Sequence, residues 1–255
     1  MILGLLQARF SSTRLPGKVL KPILGKPMLW LQIERIRRST LIDRLVVVTS
    51  EDESDQEIVR SCKTLGVDVF TGSLDDVLDR FYQCAKSIQP QHIVRLTGDC
   101  PLADPRVIDS VIQFHLDGSH DYSSNSVRPT FPDGLDVEVM TFAALEQAWR
   151  EASLRSQREH VTPYLYRDHE TQAHFKLGFY KETPDLSHLR WTVDIPADFE
   201  LIREVYEALY PKKPDFGMRD ILDLLEARPE LSQINSKIER NAGYKKSLEA
   251  DRKST

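Results

Sequence analysis

The residues best suited to chemistry are the cations of a short loop near the start of the chain. The loop carries Arg9, Arg14 and Lys18, three consecutive hydroxyl side chains at 11–13, and Gly17. Arginine and lysine donate charge-assisted hydrogen bonds to phosphate oxygens, and backbone N–H groups in a concave turn add further donors. Glycine lets the backbone approach a ligand closely. The loop is therefore predicted to hold phosphate groups, and a solvated basic surface loop is the alternative.

Two common phosphate motifs are absent from the sequence. It contains neither GxxxxGK followed by Ser or Thr nor a GxGxxG after a strand, so a nucleotide held here needs another arrangement.

Charge is unevenly spread, because residues 1–38 hold eight Lys and Arg against one acid, a net of +7. The whole chain carries -5, which leaves -12 for the remainder. This distribution favours one local anion site over general binding of nucleic acid.

Two carboxylates lie at the ends of predicted strands. Asp99 follows a predicted strand at 92–96, and Asp194 lies between an apolar run and the helix that Pro196 opens. Mg²⁺ takes one or two carboxylates and completes its shell with phosphate oxygens and water. Beside a phosphate-holding loop, the pair is predicted to bind Mg²⁺. Taken singly, Asp99 can cap its own turn, and Asp194 can interact favourably with a helix dipole.

The alternation of strands and helices indicates the class of fold. Predicted strands lie at 2–6, 44–49, 67–70, 92–96, 135–140, 173–179 and 189–193. Predicted helices lie at 27–38, 52–65, 74–87, 105–115, 141–151, 155–167, 196–209 and 215–227, with a long polar loop at 121–134. Early in the chain the two kinds alternate four times, which calls for right-handed crossovers and a mostly parallel sheet. Ligands bind beyond the carboxyl ends of such strands, so the basic loop and Asp99 are expected at one edge.

Composition indicates the type of protein and where it works. A chain of 255 residues with 40% hydrophobic residues suits one large domain. The three cysteines have no metal-ligand spacing, and their odd number indicates reduced thiols. The opening apolar run is short for a signal peptide, and no run reaches membrane-spanning length. A cytoplasmic protein without nucleic-acid or membrane partners is expected.

Seven segments occur in the order found in a known family: QARFSSTRLPGKVL, GSLDDVLDRF, VRLTGDCPLADP, FPDGLDVEV, REHVTPYLY, RWTVDIPADFELI and RNAGYKKSLEAD. Together they resemble the cytidylyltransferase-like proteins of spore-coat and surface polysaccharide biosynthesis, relatives of the synthetases that activate sialic acids and 3-deoxy-manno-octulosonate. The resemblance implies a three-layer α/β/α nucleotide-diphospho-sugar transferase fold with a mostly parallel central sheet. It also implies Mg²⁺-dependent transfer of CMP from CTP to a sugar, preferably an acidic one, with release of pyrophosphate.

The same resemblance assigns roles to individual residues. It assigns catalysis to Arg14, Lys18 and Asp99, and metal binding to Asp99 and Asp194. The expected nucleotide-binding residues are Gln7, Ala8, Arg9, Ser12, Arg14, Lys18, Gly72, Ser73, Arg80 and Thr97. The expected acceptor-binding residues are Asn125, Asp133, Glu138, Arg158 and His160. Residue chemistry alone leaves the acceptor set open, because the acids can face solvent and a lone histidine is more often structural.

The resemblance also implies how the chain is organised. Residues 1–238 are expected to form one nucleotidyltransferase domain, within which 121–180 contacts the acceptor and the second subunit of a homodimer. The polar tail, 239–255, is expected to be peripheral.

Two other functions stay open at this point. The same fold serves sugar-1-phosphate nucleotidylyltransferases and glycosyltransferases that use other nucleotides. A catalytically silent binding protein of a polysaccharide assembly complex is the second alternative, although such a protein needs none of Lys18, Asp99 and Asp194.

Overall fold

The apolar run that opens the chain forms the central strand, β1 (Ile2–Gln7). It lies between two parallel neighbours, with Leu5 opposite Val46 on one side and Arg95 on the other. Leu3 and Leu5 pack into one layer of the core, and Leu6 packs into the other. A strand covered on both faces needs a continuous apolar run, which is what the sequence supplies here.

The computed structural model describes residues 1–167, 175–238, 240 and 242–254. Its other strands are β2 (Pro22–Ile23), β3 (Lys26–Pro27), β4 (Arg44–Ser50), β5 (Asp68–Gly72), β6 (His92–Thr97), β7 (Tyr122–Ser124), β8 (Glu138–Thr141) and β9 (Leu177–Phe179). The main sheet has seven strands in the order β5-β4-β1-β6-β8-β7-β9, and β2 pairs with β3 in a separate hairpin. Within the main sheet, β8 runs antiparallel to both of its neighbours.

Helices cover both faces of the sheet. They are α1 (Met28–Ile36), α2 (Gln56–Thr64), α3 (Val77–Ile88), α4 (Pro105–Asp117), α5 (Phe142–Glu151), α6 (Arg155–His160), α7 (Pro163–Arg167), α8 (Pro196–Leu209), α9 (Met218–Ala227), α10 (Pro229–Gln233) and α11 (Ala242–Ser254). Apolar residues of α1, α2, α4, α8 and α9 fill one layer, and those of α3, α5 and α7 fill the other. The predicted three-layer fold with a mostly parallel sheet is confirmed.

Several predicted elements differ from those observed. The predicted strand at 189–193 is extended chain with one isolated bridge, between Asp133 and Arg190, because this segment crosses the strand ends instead of lying beside a strand. The predicted helix at 155–167 is two helices, separated at Val161, whose φ is 71°. β7 lies in the stretch predicted as a loop. Of the predicted strand at 173–179, residues 177–179 are β9, and 173–174 lie outside the described residues.

The end of the chain also departs from expectation. Ala242–Ser254 form α11, which packs against α6. Asp251 Oδ1 accepts a hydrogen bond of 3.2 Å from the Ser156 backbone N–H at the start of α6. The expectation of a peripheral tail is therefore wrong.

Two further expectations concern membranes and thiols. In the part of the chain that the structure describes, no helix is long and apolar enough to cross a membrane. Cys62, Cys84 and Cys100 are free and buried, and burial raises the pKa of each thiol.

Candidate active site

The basic loop leaves the carboxyl end of β1 and is tied to the neighbouring strand. The backbone N–H of Phe10 donates to Asp55 Oδ1 at 2.6 Å, and Asp55 Oδ2 accepts from the Ser50 N–H at 3.0 Å, at the end of β4. The loop closes where the Gly17 N–H donates to the Phe10 carbonyl at 3.0 Å. Gly17 has a φ of 66°, and a Cβ there would lie 2.9 Å from the Phe10 ring. Asp55 and the glycine together fix the shape of the loop.

A second glycine brings the end of β6 against the end of β1. The Gly98 N–H donates to the Gln7 carbonyl at 2.7 Å, and a Cβ on Gly98 would lie 3.0 Å from that oxygen. The next residue, Asp99, consequently emerges beside the basic loop. β1 and β6 are parallel neighbours whose carboxyl ends lie at one edge of the sheet. Lys18 and Asp99 therefore meet although about 80 residues separate them.

Lys18 lies between the two predicted metal ligands. Its Nζ is 3.3 Å from Asp99 Oδ2 and 3.0 Å from Asp194 Oδ1, and it donates to the Val193 carbonyl at 2.6 Å. Burial alone would lower the pKa of Lys18, but the two carboxylates more than offset this and raise it. Burial would likewise raise the pKa of Asp99, whereas Lys18 holds it below its usual value. Lys18 and Asp99 are therefore both charged at neutral pH.

Asp194 is also bound by two arginines. Its Oδ2 lies 3.0 Å from Arg14 Nη2 and 3.1 Å from Arg190 Nη2. Arg190 in turn pairs with the fully buried Asp198 at 2.9 Å. Asp198 also accepts from the Asp194 N–H at 2.9 Å and from Asn235 Nδ2 at 2.8 Å. This buried network, which the sequence did not reveal, fixes the position of Asp194.

These groups line a cavity of about 510 Å³ at the carboxyl edge of the sheet. Of the sequence-predicted site residues, those on its wall are Gln7, Ala8, Arg9, Ser12, Arg14, Lys18, Thr97, Asp99, Asp133, Glu138, His160 and Asp194. The wall also includes residues outside the predicted set, among them Arg95, Asp136, Thr162, Tyr166, Arg190 and Tyr244. The basic loop and three of the five residues predicted to bind the acceptor thus share one cavity.

Five predicted site residues are not brought to this wall. Arg80 is buried beneath the end of β5, where its Nη1 donates to the Ser73 carbonyl at 2.8 Å and a Cβ on Gly72 would lie 3.1 Å from its Cγ. Its Nε and Nη2 have no hydrogen-bond partner in the described part of the chain. Burial lowers the pKa of Arg80 to about 10. A nucleotide role for Gly72, Ser73 and Arg80 stays a prediction.

Asn125 and Arg158 connect structural elements and do not line the cavity. Asn125 donates to the Leu135 carbonyl at 2.8 Å and accepts from the Val137 N–H at 2.8 Å, which closes the 125–137 loop. Arg158 Nη2 donates to Asp76 at 2.6 Å, so it joins α6 to the start of α3. These hydrogen bonds use the polar groups of Asn125 and Arg158 that the sequence analysis assigned to acceptor binding.

One part of the cavity wall is rich in carboxylates. Glu138 is bound by Arg95 and by the hydroxyls of Tyr122 and Thr162. Burial raises the pKa of Asp133, and it raises that of Asp136 to about 7, although a nearby arginine opposes both shifts.

His160 lies on the same cavity wall. Its Nε2 lies 3.0 Å from Ser247 Oγ in α11. Burial lowers the pKa of His160 to about 4, so the ring is neutral at physiological pH.

Asp99 and Asp194 meet the chemistry that Mg²⁺ needs in a nucleotide site. Both present a carboxylate oxygen to the same Nζ, which shows that the two groups converge on one point. Among the residues described, no group of three or more His, Cys, Asp and Glu is arranged to hold an ion unaided. Two carboxylates fit an ion whose remaining ligands are phosphate oxygens and water.

Comparison with known proteins gives several extensive matches. A family model described as cytidylyltransferase matches residues 3–215. The spore coat polysaccharide biosynthesis protein SpsF of Bacillus subtilis is 36% identical over 237 residues, which cover 90% of this chain and 95% of that protein. The structure of a cytidylyltransferase from Leptospira borgpetersenii superposes with a TM-score of 0.86 at 32% identity, over 94% of this chain and 99% of that chain. A 3-deoxy-manno-octulosonate cytidylyltransferase of Zea mays is 36% identical over 113 residues, 43% of this chain and 37% of that protein.

Proposed function

The chain belongs to the cytidylyltransferase family and is a nucleotidyltransferase, and we propose that it transfers CMP from CTP to a hydroxyl group of an acidic sugar with the help of Mg²⁺. Family membership confirms the resemblance seen in the motifs and removes the alternative of a silent binding protein. The observation that carries the proposal is the convergence of Lys18, Asp99 and Asp194 beside the basic loop.

The basic loop supports binding of the triphosphate. Arg9, Arg14 and Ser12 line the cavity next to Lys18, so donors and positive charge surround the space at the end of β1. Arg14 has a side chain that is 44% exposed, and it can turn from Asp194 to a phosphate. Charged donors of this kind bind phosphate oxygens strongly.

Asp99 and Asp194 would hold the metal ion. When bound, Mg²⁺ supplies charge neutralisation for the phosphate oxygens and lowers the pKa of a coordinated hydroxyl.

The reaction itself is a displacement at phosphorus. The acceptor oxygen forms a bond to the α-phosphorus, and the bond from that phosphorus to the bridging oxygen of the β-phosphate breaks. Pyrophosphate leaves with the electron pair, and the hydroxyl proton passes to water. Lys18 and Arg14 offset the charge that develops on the leaving group, and the fixed loop orients the triphosphate.

The acidic sugar rests on the relatives and on the cavity. The Zea mays relative is a 3-deoxy-manno-octulosonate cytidylyltransferase, and SpsF takes part in polysaccharide biosynthesis. The cavity of about 510 Å³ also has Arg95, Glu138 and His160 on its wall, and we place the sugar against these side chains. Surface polysaccharide synthesis is the setting that these relatives support.

The first test identifies the nucleotide. Thermal unfolding is measured with each of the four ribonucleoside triphosphates, with and without Mg²⁺. A ligand at about 100 times its dissociation constant adds about 2.7 kcal/mol, or roughly 5–10 °C for a domain of this size. A Mg²⁺-dependent rise with CTP alone is expected. A rise with UTP or GTP instead would favour the other nucleotidyltransferases, and no rise with any nucleotide would contradict the proposal.

The second test identifies the acceptor. Pyrophosphate release is followed with 3-deoxy-manno-octulosonate, with N-acetylneuraminate, and with mannose as the neutral control. Release with an acidic sugar and none with mannose is the expected result. Release with mannose alone would overturn the acidic acceptor while leaving CMP transfer intact.

A further inference from the structure

The C-terminal segment, here Arg240 and α11, lies against the cavity although it follows the region that the family model matches. That match ends at residue 215. Tyr244 is nevertheless part of the cavity wall, and Ser247 holds His160 from the same helix. This segment therefore adds side chains to a site whose other walls are built by the family fold.

Arg240 pairs with two carboxylates of the cavity wall, Asp133 and Asp136. Its Nη2 lies 2.8 Å from Asp136 Oδ1, and its Nε lies 3.5 Å from Asp133 Oδ1. Asp133 has a second cation in Arg190, at 2.8 Å. Within the described residues Arg240 is the only cation at ion-pair distance from Asp136.

Arg240 acts on the cavity from behind its wall. Its side chain is 17% exposed, and it is not among the described residues that line the cavity, whereas its partners Asp133 and Asp136 are. A guanidinium held here compensates the charge of these two carboxylates, which would otherwise be buried without a partner.

Tyr244 forms part of the cavity wall beside His160. Its ring lies edge-on to His160, with ring centroids 4.9 Å apart. Ser247, one turn further along α11, is 3.0 Å from His160 Nε2 and 3.2 Å from Glu159 Oε2. The helix therefore fixes both an aromatic surface and the orientation of a cavity histidine.

We propose that the C-terminal segment forms one wall of the acceptor end, and that Arg240 and Tyr244 set the affinity and selectivity for the acidic sugar. This rests on the proposed CMP transfer. Arg240 offsets the repulsion that Asp133 and Asp136 exert on an acidic sugar. Tyr244 limits the shape of the sugar that fits against His160.

Steady-state kinetics of the full chain test this assignment. The variants are Arg240→Ala, Arg240→Lys and Tyr244→Leu, and the control is Arg228→Ala, a surface arginine paired with Glu204 and Glu230. CTP and acceptor KM values and kcat are measured with 3-deoxy-manno-octulosonate and N-acetylneuraminate, and unfolding temperature checks the fold of each variant.

Arg240→Ala is expected to raise the acceptor KM roughly tenfold or more, because Asp133 and Asp136 then repel an acidic sugar without the cation that offsets their charge. The KM for CTP stays unchanged, Arg240→Lys recovers part of the loss, and Arg228→Ala behaves as wild type. Tyr244→Leu is expected to change the ratio of the two acceptor KM values. Should Arg240→Ala prove unfolded, Arg240→Lys and Tyr244→Leu carry the test.

Other outcomes separate the two proposals. Equal acceptor KM values in wild type, Arg240→Ala and Tyr244→Leu would overturn the role of the segment while leaving CMP transfer intact. An equal rise in the KM for CTP would assign Arg240 a general structural role instead. A wild-type enzyme that binds Mg²⁺ and CTP but uses neither acidic sugar would overturn the assigned acceptor class. Failure to bind CTP would instead contradict the proposed function.

Discussion

Replacing Lys18 by methionine separates its competition with a metal ion for Asp99 and Asp194 from its proposed role in stabilising the leaving group. Methionine keeps an unbranched apolar side chain and removes the charge. In the wild type the Nζ lies 3.0 Å from Asp194 and 3.3 Å from Asp99, in a side chain that is 10% exposed. A metal ion that binds these carboxylates must displace the ammonium group, whereas in the variant only Arg14 and Arg190 of the described residues, both on Asp194 Oδ2, still compete with it.

The magnitudes follow from those contacts. Hydrogen bonds to charged groups contribute about 1.5–3 kcal/mol, so Lys18→Met is expected to bind Mg²⁺ roughly tenfold or more tightly without nucleotide. A cation aimed at charge that develops in the transition state contributes about 10²–10³ in kcat. The variant is therefore expected to gain metal affinity and to lose turnover.

Calorimetric titration of nucleotide-free enzyme with Mg²⁺ measures the first effect, and pyrophosphate release at saturating CTP measures the second. Lys21→Met is the matched control, since Lys21 lies 5.6 Å from the Phe199 ring and outside the cavity wall. Weaker Mg²⁺ binding by Lys18→Met would refute the shared site on Asp99 and Asp194. An unchanged kcat would refute the role of Lys18 in stabilising the leaving group.

Three further predictions test the site and its support. Asp99→Asn should lower kcat by about 10²–10³, because an amide cannot replace a charged ligand; unchanged turnover would contradict the metal assignment. Asp198→Ala leaves the buried Arg190 without its carboxylate and should cost about 3–5 kcal/mol in urea unfolding, where a loss below about 1 kcal/mol would refute the network. Burial and two neighbouring histidines lower the pKa of His115 to about 3, below the ordinary value of 6.5. The folded state favours the neutral form of His115, so the contribution of this histidine to the free energy of unfolding should be fully present above about pH 6.5. It should then fall by up to about 1.4 kcal/mol per pH unit towards pH 3, with a flatter profile for His115→Phe.

The meeting of the basic loop with Asp99 was predictable, because both lie in compact motifs at strand ends. Arg14, Lys18 and Asp99 follow buried apolar runs, and parallel strands place such residues at one edge of the sheet. The fold class followed from the same alternation. Their roles in catalysis stay predictions until the kinetics are measured.

The supporting network was not predictable, because nothing local distinguishes it. Asp198 occupies the first turn of a helix, where an acid is ordinary, and only the packed structure shows it buried against Arg190. Arg190 lies in a segment whose apolar pattern predicts a strand. Extended chain that crosses the strand ends has the same pattern, so the sequence does not distinguish the two. Tyr244 belongs to a polar stretch whose contact with the cavity depends on α6.

The place of β1 in the sheet determines when the site can form during folding. β1 precedes the other strands of the sheet in the sequence, yet it is central, and its neighbours β4 and β6 begin only at Arg44 and His92. The loop that follows β1 then needs Asp194, which is 176 residues beyond Lys18. Contacts of such sequence separation form slowly. We therefore expect a refolding chain to regain its sheet before its ability to bind nucleotide, so recovered activity reports the last step of folding.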